Sequence, residues 1–174
     1  MNNIFLIGLP GCGKSSLSRL LSKKMNWEVY DTDEIIEKEA KQNIAEMFQK
    51  YGEEYFRSLE NKVLKNIVQN NQAIISTGGG IILKKENRDI IKQNGISIFI
   101  DRKAEIILEN INTDNRPILT NKNKLIELSL QRQKLYEETA DIIFKSDTWY
   151  ETIEEVFDSL YSYLQNNNKF QPIT

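Results

Sequence analysis

The stretch Ile4-Phe5-Leu6-Ile7-Gly8-Leu9-Pro10-Gly11-Cys12-Gly13-Lys14-Ser15-Ser16 decides the fold. An apolar run of strand length ends in a glycine-rich loop. The loop closes on Lys14-Ser15, and Leu17, Leu20, Leu21 and Met25 then recur at helical spacing. Gly8, Gly13, Lys14 and Ser15 satisfy G-x-x-x-x-G-K-[ST], the phosphate-binding loop, in the strand-before, helix-after context that the motif requires. Glycines let successive backbone N–H groups turn inward around a phosphate, and the helix N-terminus adds partial positive charge. Lys14 is placed to reach terminal phosphates and the Ser15 hydroxyl to ligate Mg²⁺. The chain is therefore expected to bind a nucleoside triphosphate.

Working outward, the 174 residues suit one domain, expected over 1–165 with a fraying tail at 166–174. Hydrophobic residues make up 40% and charged residues 28%, the balance of a soluble globular protein. Lysine and arginine number 23 against 25 acids, a net charge of −2, which gives no nucleic-acid footprint. No apolar run approaches the ~18 residues of a membrane span, so a cytoplasmic protein is expected. The single Cys12 suits a reducing compartment. It reads either as a backbone donor in the loop or as a redox sensor. The chain has no histidine, so any proton acceptor must be a carboxylate.

Five strands are expected, at 3–7, 28–31, 73–76, 96–100 and 141–144, alternating with amphipathic helices. Together with the first strand–loop–helix unit, that alternation predicts an α/β fold, a five-stranded parallel sheet between two helical layers. Asp31-Thr32-Asp33 ends the second strand where open α/β sheets bind ligands, and Asp33 also reads as the N-cap of the helix that follows. Asn43 reads as the cap of the next helix, with Glu46 reaching back, and that helix stops near Gly52. Arg57, taken alone, is a surface charge between Glu53 and Glu60. Thr77-Gly78-Gly79-Gly80 follows the third strand and reads either as a site of close backbone approach or as a flexible turn. Asp101 rivals Asp31 as a magnesium-site acid, but Asp101-Arg102-Lys103 reads more simply as a helix start. The polar segment 110–124, with Arg116-Pro117, is a lid or a connector.

These motifs in their order resemble the shikimate kinase family of nucleoside monophosphate kinase-like P-loop proteins, from about Asn3 to Leu164. The specific part is the combination of Asp31-x-Asp33, Gly52-Glu53-x-x-Phe56-Arg57-x-x-Glu60, Thr77-Gly78-Gly79-Gly80, Arg116-Pro117-Ile118-Leu119 and Arg132-x-x-x-Tyr136. The resemblance implies that Gly11, Cys12, Gly13, Lys14, Ser15 and Ser16 hold the phosphates of ATP. It implies that Ser15 ligates Mg²⁺ and that Asp31 holds it through water. Asp33, Arg57, Gly78, Gly79, Gly80 and Arg132 would bind shikimate within a substrate region spanning about 32–60 and its neighbours, the two arginines clamping the carboxylate. Asp33 is the candidate base, and Arg116 would fold over the phosphates on a mobile lid. A monomer acting on small molecules is implied. The chain departs from the family at Lys41, where glycine is usual, at Asn43 and Ser16, and around Glu109, Asn110 and Trp149, where adenine contacts would fall. A gluconate kinase-like enzyme and a non-catalytic nucleotide switch are the competing readings.

Overall fold

Apolar character buried on both faces is what makes a strand central in a parallel sheet. In the computed structural model, which describes residues 3–109, 122–146 and 152–166, the first strand β1 (Asn3–Ile7) is buried at every position. So is β3 (Ala73–Ser76), and β4 (Gly95–Asp101) is buried through its middle. Each fully buried Ile, Leu or Phe here contributes about 2 kcal/mol. The flanking strands differ. In β2 (Glu28–Asp31) no residue is fully buried, and β5 (Ile142–Lys145) alternates buried and exposed. They are the edges, with Glu28 and Lys145 as charges that discourage further pairing.

The sheet order is β2-β3-β1-β4-β5 and every pairing is parallel, with Ile4 opposite Ile74 on one side and Ile96 on the other. The chain leaves β1 toward one edge through α1 (Lys14–Met25). It returns toward the opposite edge through α2 (Thr32–Ala40), α3 (Ile44–Ile67), α4 (Lys85–Asn94), α5 (Ala104–Glu109) and α6 (Lys122–Thr139). Right-handed crossovers in opposite directions place helices on opposite faces. Accordingly α7 (Ile153–Asn166) packs on α1, while α4 meets α3 and α6. The expected α/β architecture is thus observed.

Local details refine the expectations. Asn43 caps α3 through its side chain, which accepts from the Glu46 N–H at 2.8 Å. Gly52 breaks α3 with φ 81° and ψ 175°, a conformation open to glycine, so the expected stop there is a kink within one long element. Asp31, not Asp33, is the N-cap of α2: its Oδ1 accepts from the N–H groups of Asp33 and Glu34 at 3.0 and 3.4 Å. With Asp31 closing that turn, the Asp33 side chain does not serve as the cap. Lys41 ends α2 at φ 51°, which explains why a glycine is natural there. Helix α6 begins at Lys122, so the last three residues of the expected lid, 122–124, are helical. Residues 110–121, with Arg116, and Trp149 lie outside the described residues. Asn166 belongs to α7, and the rest of the expected tail lies outside as well.

Candidate active site

The C-terminal ends of β1, β2 and β3 deliver three segments to one place. The first is the loop Gly8–Ser15. Gly11 and Gly13 take φ of 81° and 102°, turning the backbone as a phosphate cradle requires. Gly8 is small for another reason: a Cβ there would lie 2.8 Å from the Ile100 carbonyl of β4. Helix α1 opens with no side-chain cap and no acid in its first turn, unlike α2 and α3. Its first N–H groups and its dipole are left for an anion. Lys14 is buried, and its Nζ donates to the carbonyls of Gly8 and Leu9 at 2.9 and 2.8 Å, within 3.7 Å of the Cys12 Sγ. Cys12 is fully buried and its N–H donates to Leu9 O at 3.3 Å.

The second segment is the end of β2. Ser15 Oγ donates to Asp31 Oδ2 at 2.7 Å and lies 3.3 Å from the hydroxyl of Ser76 on β3. Hard oxygen donors gathered beside a phosphate loop are what Mg²⁺ takes, so the residues present fit that ion. Asp101 instead sits at the end of β4, where Gln133 Nε2 donates to it at 3.4 Å.

The third segment is Gly78–Gly80, and the side chains around it account for all three glycines. A Cβ on Gly78 would collide with the Asp33 carboxylate and approach Glu60 Oε1 to 2.9 Å. One on Gly79 would lie 2.7 Å from Pro10 of the phosphate loop. One on Gly80 would collide with the Arg57 guanidinium. The triplet is therefore a floor against which the site's side chains lie flat, and not a flexible turn. Arg132 Nη1 and the Tyr136 hydroxyl both donate to Gly79 O, at 3.1 and 2.5 Å. Tyr136 stacks on Phe99 with centroids 4.9 Å apart.

Arg57 is not the surface charge that its helical neighbours suggest. It is 8% exposed, with its Nε and Nη2 on Glu53 Oε1 and its Nη1 on Glu60 Oε2 at 2.5 Å. Phe48 and Phe56 rings lie 5.8 and 5.3 Å from its Cζ. Burial works against the guanidinium charge, but Glu60 and Glu53 outweigh it and hold the net shift upward. Glu60 is fully buried, and burial pushes its carboxyl up to about 7 despite the neighbouring Arg57. Burial likewise drives the Tyr136 phenol upward, with Arg132 opposing.

The structure thus brings together Lys14, Ser15, Asp31, Asp33, Arg57, Gly78–Gly80 and Arg132 of the expected set. Glu60 and Tyr136, quoted within motifs but given no role, join them, as do Pro10 and Ser76. Glu60 stood inside a quoted motif, but a glutamate three residues after an arginine reads as a surface pair until its burial is known.

Fold and site define a P-loop phosphotransferase. A comparison with protein families narrows this: the family model for shikimate kinase matches residues 10–165. The chain belongs to the shikimate kinase family. It is 38% identical over 167 residues to the shikimate kinase of Clostridium botulinum (strain Alaska E43 / Type E3), covering 95% of this chain and 99% of that one. Among solved structures it resembles the shikimate kinase of Acinetobacter baumannii in complex with shikimate. That likeness has a TM-score of 0.87 and 30% identity, covering 97% of this chain and 95% of that one. The shikimate kinase of Aquifex aeolicus gives a TM-score of 0.76 and 35% identity, covering 95% and 99%.

Proposed function

We propose that the chain transfers the γ-phosphoryl group of ATP to the 3-hydroxyl of shikimate, giving shikimate 3-phosphate and ADP. The observation that carries this reading is the contact of the glycine floor with both halves of the site. Gly79 packs on Pro10 of the phosphate loop, while its carbonyl is held by Arg132 and its neighbour Gly80 lies under Arg57. An anionic acceptor clamped by the two guanidiniums would thus lie beside the terminal phosphate of a nucleotide in the loop.

The chemistry follows from that adjacency. Two planar guanidiniums hold a carboxylate through parallel hydrogen bonds and fix the ring's orientation. Asp33, in the first turn of α2 and against Gly78, orients the acceptor hydroxyl and accepts its proton as the new P–O bond forms. Lys14 and the N–H groups of Gly11–Ser16 neutralise and align the phosphates, which is most of what phosphoryl transfer asks of a protein. Ser15 and Asp31 would hold Mg²⁺, which supplies charge neutralisation on the nucleotide. Arg116 is assigned by sequence to a lid that folds over the phosphates and excludes water. The reading includes a cytoplasmic monomer; light scattering checks the oligomeric state. No helix among the described residues is long and apolar enough to cross a membrane.

A coupled assay of ADP release with shikimate, gluconate or no acceptor tests the reading. Shikimate alone should support turnover. Turnover with gluconate would shift the substrate assignment, and nucleotide binding without acceptor-dependent turnover would make the chain a switch.

A further inference from the structure

Resting on the shikimate reading of the site, we propose that Glu60 is a proton-linked positioning residue. It takes up a proton as the acceptor's carboxylate docks on Arg57 and Arg132, and capture of the acid substrate therefore strengthens as pH falls through neutrality.

The geometry starts from burial. The Glu60 side chain is 0% exposed; Oε2 accepts from Arg57 Nη1, and Oε1 is buried with no hydrogen-bond partner. A buried carboxylate oxygen left without a donor disfavours the ionised form and is a ready seat for a proton. Charged groups face Glu60 from three helices. On its own α3 there is Arg57, itself tied to Glu53; from α2 there is Asp33, across Gly78; from α6 there is Arg132. From α4 the packed polar group is Asn87, paired with Asn61, and neither titrates. With Glu60 ionised, the two arginines already face the carboxylates of Glu53, Asp33 and Glu60.

An incoming carboxylate then changes that balance in one direction. It competes with Glu60 for Arg57 Nη1 and adds a further negative charge to a site shielded from water. A buried acid stripped of part of its cation is strongly destabilised as an anion, and protonation removes that cost. Burial, with Asp33 adding and Arg57 and Arg132 opposing, has already brought the Glu60 carboxyl to about 7. Docking therefore moves a group poised near neutrality and should draw a proton from solvent. The sign is fixed by linkage: a ligand that raises the proton affinity of a site binds more tightly as pH falls. The chain carries no histidine, the side chain whose ordinary titration would mask such an uptake.

A further rise of one unit on docking gives the scale. At about pH 7.5 the Glu60 proton occupancy would go from about a quarter to about three quarters, an uptake of about half a proton per shikimate. The dissociation constant would rise up to about tenfold across the titration.

Isothermal titration of shikimate into the full chain tests this, at about pH 7.5 in phosphate and in Tris, buffers of different ionisation heat. The apparent heats should differ by about half the difference in ionisation heat, in the sense of uptake. Glu60→Gln, which mimics the protonated side chain, should bind shikimate with buffer-independent heat and with affinity that no longer falls as pH rises. Binding with buffer-independent heat in the wild type, or release in place of uptake, overturns the inference alone. Uptake that persists in Glu60→Gln overturns it too. No binding in either buffer overturns the shikimate reading and the inference with it. Should Glu60→Gln fail to fold, the wild-type profile decides: the KM for shikimate should rise through neutrality, and a flat KM overturns the proposal.

Discussion

Replacing Gly80 by alanine perturbs the proposed acceptor side of the site through one added carbon. Gly80 sits at φ −102° and ψ 2°, which alanine tolerates, so backbone strain contributes little. The added Cβ would fall on the Arg57 guanidinium, touching Nη1, Cζ and Nη2 inside ordinary contact distance. Clearing that overlap needs a shift of about 1 Å. The guanidinium is no loose end free to swing aside, because Glu53 and Glu60 hold it from two sides and it is buried. Overpacking of this kind costs about 1–3 kcal/mol of stability, while a displacement of about 1 Å in a positioning group costs on the order of 10² in rate. We expect Gly80→Ala to fold with a lowered Tm and to lose roughly 10²-fold in kcat/KM for shikimate, chiefly through KM, with the KM for ATP nearly unchanged. Steady-state kinetics by coupled ADP release, with each substrate varied at saturation of the other, reads this directly. Gly79→Ala is the matching control: its Cβ would press on Pro10, so its defect should reach the ATP side. A Gly80→Ala enzyme with wild-type KM for shikimate, or with equal losses on both substrates, would refute the assignment of Arg57 to the acceptor.

Lys14→Ala should leave the fold in place and reduce turnover by ~10² or more, measured by ADP release beside circular dichroism. Arg132→Lys keeps the charge but loses the planar fork, so the KM for shikimate should rise with little change for ATP. Glu60 makes stability depend on pH. Its folded value, about 7, lies above the ordinary 4.5, so its contribution is fully present below about 4.5 and is lost as pH rises through 7. The loss is worth about 3 kcal/mol in denaturant melts of the free protein and should vanish in Glu60→Gln. Lys41→Gly, relieving a left-handed residue at the end of α2, should raise stability by about 1 kcal/mol in the same melts.

Much of the fold was legible because buried parallel strands are written as short apolar runs between breakers. The expected bounds of β1, β2 and β3 match the structure. At β5 the expectation ran 141–144 where the strand is Ile142–Lys145; Asp141, just before it, still donates its N–H to Ser97 O at 3.0 Å while its side chain accepts from the Ser97 N–H and hydroxyl at 2.9 and 2.8 Å. No local pattern announces a contact to a residue that far upstream. The phosphate loop was legible for the opposite reason: its geometry is confined to a few consecutive residues. Asp31 and Asp33 exchanged the capping role because two acids flanking a helix start satisfy the same local rule. Arg57 and Glu60 show the limit most clearly. Their i,i+3 spacing is that of a solvated pair; Phe56 beside Arg57, Phe48 across the Gly52 kink of the same helix, and the glycine floor brought in from the end of β3 make it a buried one.

The most direct test of the central claim is the identity of the phosphorylated product. Incubating the protein with ATP, Mg²⁺ and shikimate and following ³¹P NMR should show one new phosphomonoester, coupled to the proton on the carbon of the 3-hydroxyl and formed in step with ADP. Inorganic phosphate as the sole product, or an ester on another hydroxyl, would contradict the account.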